Sequence, residues 1–207
     1  MKPLLIDLYC GAGGAAHGYH QAGFDIIGID INPQPNYPYP FAQGDALNPP
    51  LDLTQADAIH ASPPCQAYSI ATLNHRTTNT YPDLVAPTRQ LLETTGLPWI
   101  IENVPGAPLH NHIQICGSGL AMTRIRRHRW FESNTPLWGI PCVHGQNTDV
   151  LSIVGHSEGS GKAGPGYLKP ARETAMGIDW MTNTELSQAI PPAYTHHIGT
   201  QLLQHLT

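Results

Sequence analysis

Apolar residues gather in short runs along this chain, and each run ends in glycine, proline or a polar turn. Leu4 to Tyr9 is one such run and Asp25 to Ile31 another; between them Ala15 to Ala22 carries small and apolar residues at helical spacing. Strand, helix and strand in so few residues predict a β-α-β unit, whose parallel strands are buried on both faces and therefore read as nearly continuous rather than alternating. Ala56 to His60 predicts a further strand, Val85 to Thr95 a helix, and Trp99 to Ile101 a strand. Ala171 to Met176, Thr182 to Gln188 and Ala193 to Leu206 predict helices, the last one entered through Pro191-Pro192. This alternation predicts an α/β fold with a mostly parallel central sheet.

The pattern breaks between residues 134 and 170, where Gly, Ser and His dominate; the run Gly155 to Lys162 fits neither period and predicts a mobile loop. The expected organisation is a core over 1–133, a short insert over 134–170 and a C-terminal segment over 171–207 that completes the core. At 207 residues the chain can bury a substantial core. Its formal charge of -5 excludes a surface coated with basic side chains, so any nucleic-acid contact must be local. Arg124, Arg126, Arg127 and Arg129 place four of the ten basic residues within six positions, which predicts an anion site.

The first apolar run is too short for a signal peptide or membrane span, so a cytoplasmic protein is expected. Cys10, Cys65, Cys116 and Cys142 lack paired spacing, as befits a reducing compartment. Cys142 and His144 form a Cys-x-His pair near His156, but no second ligand pair accompanies them, so no metal is expected.

Candidate chemistry sits where the predicted strands end. Gly11, Gly13 and Gly14 follow the first strand and admit close approach of backbone to ligand, without the Gly-x-Gly-x-x-Gly spacing of a nicotinamide site. Asp30 closes the second strand, where a carboxylate accepts from ribose hydroxyls, and Asp45 follows Gly44. The strand before Ser62 runs into Pro63-Pro64-Cys65, a rigid polar loop suited to presenting a thiol nucleophile. Glu102 follows three apolar residues, so its carboxyl should be desolvated and its pKa raised towards that of a proton donor.

In this order the segments resemble the DNA cytosine-5 methyltransferase family, from Leu5 almost to the C-terminus. Residues 7 to 14 resemble the S-adenosyl-L-methionine loop, Pro63-Pro64-Cys65-Gln66-Ala67-Tyr68-Ser69 the nucleophile loop, and Glu102-Asn103-Val104 the catalytic glutamate motif. Arg127-His128-Arg129 resembles the paired arginines that follow, and Arg172-Glu173 with Met176-Gly177 the segment supporting the recognition region. Ser187-Gln188 stands where a glycine-asparagine pair is expected, and Ile125 where a glutamine is usual. Only 42 residues separate Arg129 from Arg172, too few for a separate recognition domain, which resembles compact methyltransferases encoded by phages and prophages.

The resemblance implies a Rossmann-like methyltransferase fold with a reduced second lobe, catalytic roles for Cys65, Glu102, Arg127 and Arg129, and S-adenosyl-L-homocysteine as by-product. It implies cofactor contacts from Tyr9, Cys10, Gly11, Gly13, Gly14, Asp30, Ile31, Asp45, Ala46, Pro64, Leu84, Gln188, Ala189 and Ile190. DNA would be met by Gln66, Ser69, Arg76, Arg124 and Arg126, with a flipped cytosine in a short sequence context and a monomeric enzyme. Two rival readings remain: the same chemistry on RNA or a free cytosine nucleotide, and a non-catalytic protein of this fold that binds DNA or a partner.

Overall fold

The structure, a computed structural model, describes residues 1–68, 81–122, 124–145, 150–151, 153 and 169–206. Among the described residues seven strands form one sheet: β1 (Leu4–Leu8), β2 (Asp25–Asp30), β3 (Phe41–Gln43), β4 (Ala58–Ala61), β5 (Trp99–Asn103), β6 (Ile113–Cys116) and β7 (His128–Ser133). Their order across the sheet is β3-β2-β1-β4-β5-β7-β6. All neighbours are parallel except β7, which runs antiparallel to both β5 and β6. The α/β fold with a mostly parallel sheet is therefore the observed one.

Among the described residues five helices accompany the sheet: α1 (Gly14–Ala22), α2 (Val85–Thr95), α3 (Lys169–Met176), α4 (Asn183–Gln188) and α5 (Pro192–Leu202). Leu5, Ile26, Ile100 and Phe131 pack with Tyr19, Tyr194 and Ile198 on one side of the sheet. Ile6, Leu8, Ile59 and Ile101 pack with Val85 and Leu92 on the other. Burial on both faces explains why β1, β4 and β5 show no polar alternation. The C-terminal helix belongs to this core: Thr195 Oγ1 on α5 donates to the Ala15 carbonyl at 2.8 Å, joining α5 to α1.

Three strands lie outside the expected set: β3 has only three residues and β6 only four, and β7 carries charged and polar positions that overlap the basic run. The fourth strand begins two residues later than expected, because the Ala56 N–H closes the 3-10 turn Leu53–Gln55 by donating to Leu53. The last helix ends at Leu202 rather than Leu206, tightening into the 3-10 turn Leu203–His205. The run 155–162, read as a loop, lies outside the described residues.

Topology brings the chemistry to one edge. Strands β1, β4 and β5 point their carboxyl ends the same way, with Leu8 beside Ala61 and Ala61 beside Ile101. Antiparallel β7 begins at that edge, with Phe131 beside Glu102 and Trp130 beside Asn103.

Candidate active site

The chain leaves β1 through Tyr9, whose φ of 58° is left-handed although it is not glycine, and turns through Gly11 and Gly13 at φ 48° and 87°. Gly13 caps α1. At Gly14 a side chain would meet the Ile190 carbonyl at 2.6 Å, so glycine is required for the segment Gln188-Ala189-Ile190 to pack against the turn. Asp30 sits at the end of β2 and accepts from the Gly11 N–H at 3.1 Å and the Asn32 N–H at 2.9 Å. Asp45 accepts from the Leu47 N–H at 2.9 Å in an exposed turn, Ala46 behind it is buried, and Gly44 donates to the Asp30 carbonyl. Leu84 precedes α2, and Tyr9 reaches that helix through Thr88 Oγ1 at 2.9 Å.

These residues fit an adenosine-type cofactor. Space is open within 4 Å where a Gly11 side chain would stand. Beside it Asp30 keeps free lone pairs, and Ile31 is 65% exposed, an apolar face whose full burial is worth about 1.5–3 kcal/mol. Cys10, by contrast, is buried, and burial pushes its thiol up and away from reactivity. Asp7 at the centre of β1 is fully buried; desolvation and then the charge of Asp30 raise its pKa well above the usual carboxylate range.

The loop that carries Cys65 leaves β4 over the top of β1. Ser62 donates from its N–H to Leu8 at 3.2 Å and from its hydroxyl to Tyr9 at 3.4 Å. Asn103 at the end of β5 donates its amide to the Pro63 carbonyl at 2.9 Å, a buried tie that fixes the loop to the neighbouring strand. Pro63 is buried, Pro64 and Gln66 are exposed, and Cys65 between them is half-buried. Tyr68 N–H donates to the Cys65 carbonyl and closes the turn.

Glu102, one residue before Asn103, is buried and lies 2.8 Å from Arg129 Nε. Desolvation raises its pKa, against the pull of Arg129 and Arg127. Desolvation also raises the Cys65 thiol, helped by the charge of Glu102 and opposed by Arg129 and Arg127. Both groups thus depend on the same arginine pair, and protonating Glu102 removes a charge that opposes the thiolate.

Arg127 is held at its ends by other elements: its Nη2 donates to the Ser187 carbonyl at 2.7 Å and its own carbonyl accepts from the Tyr194 hydroxyl. Its Nε and Nη1 are buried without a hydrogen-bond partner among the described residues. Burial, then Arg129, lowers its pKa to about 9. Each unmet buried donor costs about 1–3 kcal/mol, which a bound oxygen acceptor would offset.

The basic run 124–129 is divided by the fold. Arg129 pairs with Glu102 and Arg127 adds its charge there, whereas exposed Arg126 donates to Gly145 at 2.9 Å and Arg124 lines a separate cavity with Met122, Ala175 and His196. Ser69, Arg76, His156 and Lys162 lie outside the described residues. The roles of Ser187 and Tyr194 in seating Arg127 had no local signal, since both act across the fold. The expectation of no metal rested on a missing second ligand pair, and the fold supplies one: Cys116 and His128 stand beside Cys142 and His144.

The family model for C-5 cytosine-specific DNA methylases matches residues 4–118. No curated protein matches the chain. Among solved structures, the methyltransferase EhMeth of Entamoeba histolytica aligns at TM-score 0.60 with 13% identity over 100% of this chain and 99% of that one. The Dnmt2 methyltransferase of S. pombe aligns at TM-score 0.59 with 14% identity over the whole of both chains. A DNA modification methyltransferase encoded within an E. coli prophage aligns at TM-score 0.48 with 22% identity over 62% of this chain, which spans 45% of that protein. At these identities the first two likenesses establish the fold alone, and the third, at TM-score 0.48, bears no weight.

Proposed function

Since the chain belongs to the C-5 cytosine-specific DNA methylase family, a family of S-adenosyl-L-methionine-dependent cytosine methyltransferases, we propose that it methylates carbon 5 of a cytosine flipped out of DNA in a short sequence context. The observation that carries this reading is the meeting of Cys65, Glu102 and Arg129 at adjoining strand ends, with the Cys65 loop tied to β5 through Asn103. Carbon 5 of cytosine is too electron-poor to attack a methyl donor unaided, and covalent addition of a thiolate at carbon 6 makes it nucleophilic.

Cys65 adds to carbon 6 as thiolate. Glu102, in its protonated form, donates to ring nitrogen 3 and draws the electron pair of the carbon 5–carbon 6 double bond towards carbon 5. Arg129 holds Glu102 in place, and the free Nε and Nη1 of Arg127 are available to the base carbonyl oxygen or a backbone phosphate. S-adenosyl-L-methionine, held by the Gly11–Gly14 turn, Asp30, Ile31 and the 188–190 segment, supplies the electrophilic methyl group when bound. After transfer, a base removes the carbon 5 proton and Cys65 departs as thiolate by β-elimination. A stacked base cannot reach Cys65, so the cytosine must leave the helix.

The insert 134–170, in place of a recognition domain, supports a short target and a part in modifying phage DNA. Gln66 and Arg126 are exposed near the opened strand and the backbone, with Ser69, Arg76 and Arg124 as further candidates. Methyl transfer from labelled S-adenosyl-L-methionine to unmethylated duplex DNA, followed by base-resolution sequencing, tests this reading. Methyl at carbon 5 in a context of two to four bases is expected; incorporation only into RNA or free cytidine nucleotide, or none with cofactor bound, overturns it.

A further inference from the structure

Cys116 ends β6 and His128 begins β7, and the antiparallel register sets them directly opposite each other. The chain returns after β7 to place Cys142 and His144 over the same spot. Cys116 Sγ lies 3.3 Å from His144 Nε2, and Cys142 Sγ lies 3.3 Å from His128 Nε2. All four donor atoms fall within 4.8 Å of one another. With metal–sulfur bonds of about 2.3 Å and metal–nitrogen bonds of about 2.0–2.1 Å, a tetrahedral zinc site has edges of about 3.3–3.8 Å, so the donors already stand near the required spacing.

We propose that Cys116, His128, Cys142 and His144 bind one zinc ion in a closed, structural Cys2His2 site that clamps the start of the insert to the edge of the sheet. Two thiolates and two neutral imidazoles balance the charge of the ion, and this donor set favours tetrahedral zinc over hard cations. A disulfide would use only two of the four converging groups. Surrounding donors already address the sulfurs: Ser118 Oγ donates to Cys116 Sγ at 3.3 Å and Gln114 Nε2 to Cys142 Sγ at 3.7 Å. Ser118 also accepts the Val143 N–H at 3.2 Å, and Trp130 Nε1 donates to Gln114 at 3.1 Å, so both supporting side chains are themselves held. His128 stands between Arg127 and Arg129, so the ion would fix the strand that delivers both arginines.

The proposal does not depend on the methyltransferase reading. Its test is the zinc content of the full chain, purified under reducing conditions without chelator. One zinc per chain is expected, with tetrahedral thiolate–cobalt absorption bands after exchange into Co2+. Cys142 and His144 are exposed, so Cys142→Ser and His144→Ala should fold, keep S-adenosyl-L-methionine binding and lose the metal, whereas Cys65→Ser keeps it. Wild-type protein with neither zinc nor cobalt bands, a Cys116–Cys142 disulfide in the reduced preparation, or one full zinc equivalent in both loop variants would each overturn the assignment.

Discussion

The two ends of the sheet solve binding by opposite means. On the β1–β2 side the ligand site is backbone and turn: left-handed glycines, an exposed isoleucine, and an aspartate whose oxygens already meet N–H groups. On the β5–β7 side it is buried charge, with Glu102 against Arg129 and two Arg127 nitrogens unmet. The first site is preorganised at little cost, while the second keeps unmet hydrogen-bonding capacity that the proposed reaction would direct at the base. Binding and chemistry should therefore be separable by mutation, although they share one strand edge.

The largest separation is expected at Glu102. Glu102→Gln keeps an amide donor but no transferable proton, so kcat should fall by about 10²- to 10⁴-fold with cofactor affinity unchanged. The proposed mechanism needs Glu102 protonated and Cys65 as thiolate, and burial raises both pKa values. In the wild type, kcat should rise with pH up to the Glu102 value and stay nearly level beyond it, where growing thiolate offsets lost acid. It should fall above the Cys65 value. In the variant the rate should climb steadily to the thiol pKa, and a retained plateau in the pH–rate profile would remove Glu102 from the acid role.

Asp30→Ala perturbs the other side. Hydrogen bonds to a charged group are worth about 1.5–3 kcal/mol, so S-adenosyl-L-methionine Kd by calorimetry should rise about 10- to 100-fold. kcat at saturating cofactor should hardly move. An equal loss in kcat would mean that the two sites are not independent.

These regions also differ in how far they could be read from the chain. Leu4–Leu8, Asp25–Asp30 and Gly11–Gly14 are local patterns, because a doubly buried strand must be apolar and a ligand-bearing turn needs glycine. Cys65 and Glu102 were legible as residues at predicted strand ends. β7 was not legible as a strand, because His128, Arg129 and Glu132 are polar positions with partners elsewhere in the fold: Arg129 meets Glu102 and Glu132 meets Arg89 at 2.6 Å. The split of the arginine run and the pairing of Cys116 with His128 follow from register, which no local spacing encodes.

A smaller effect probes the cost of the buried acid between the sites. The raised pKa of Asp7 means that, above the usual carboxylate value, the folded chain holds a proton the unfolded chain has lost. Stability should therefore decrease as pH rises through that window, by up to about 1.4 kcal/mol per pH unit from this group. Asp7→Asn should flatten the slope in denaturant titrations across that window; an unchanged slope would mean that Asp7 is charged in the folded protein.

The central claim, covalent catalysis by Cys65 on cytosine, is tested most directly with duplex DNA containing 5-fluorocytosine. Fluorine at carbon 5 cannot leave as a proton, so β-elimination is blocked after methyl transfer. With S-adenosyl-L-methionine present, the account predicts a denaturation-resistant complex mapped by mass spectrometry to Cys65 and absent in Cys65→Ser. An adduct at another residue, or methylation of ordinary cytosine without any trapped complex, would contradict it.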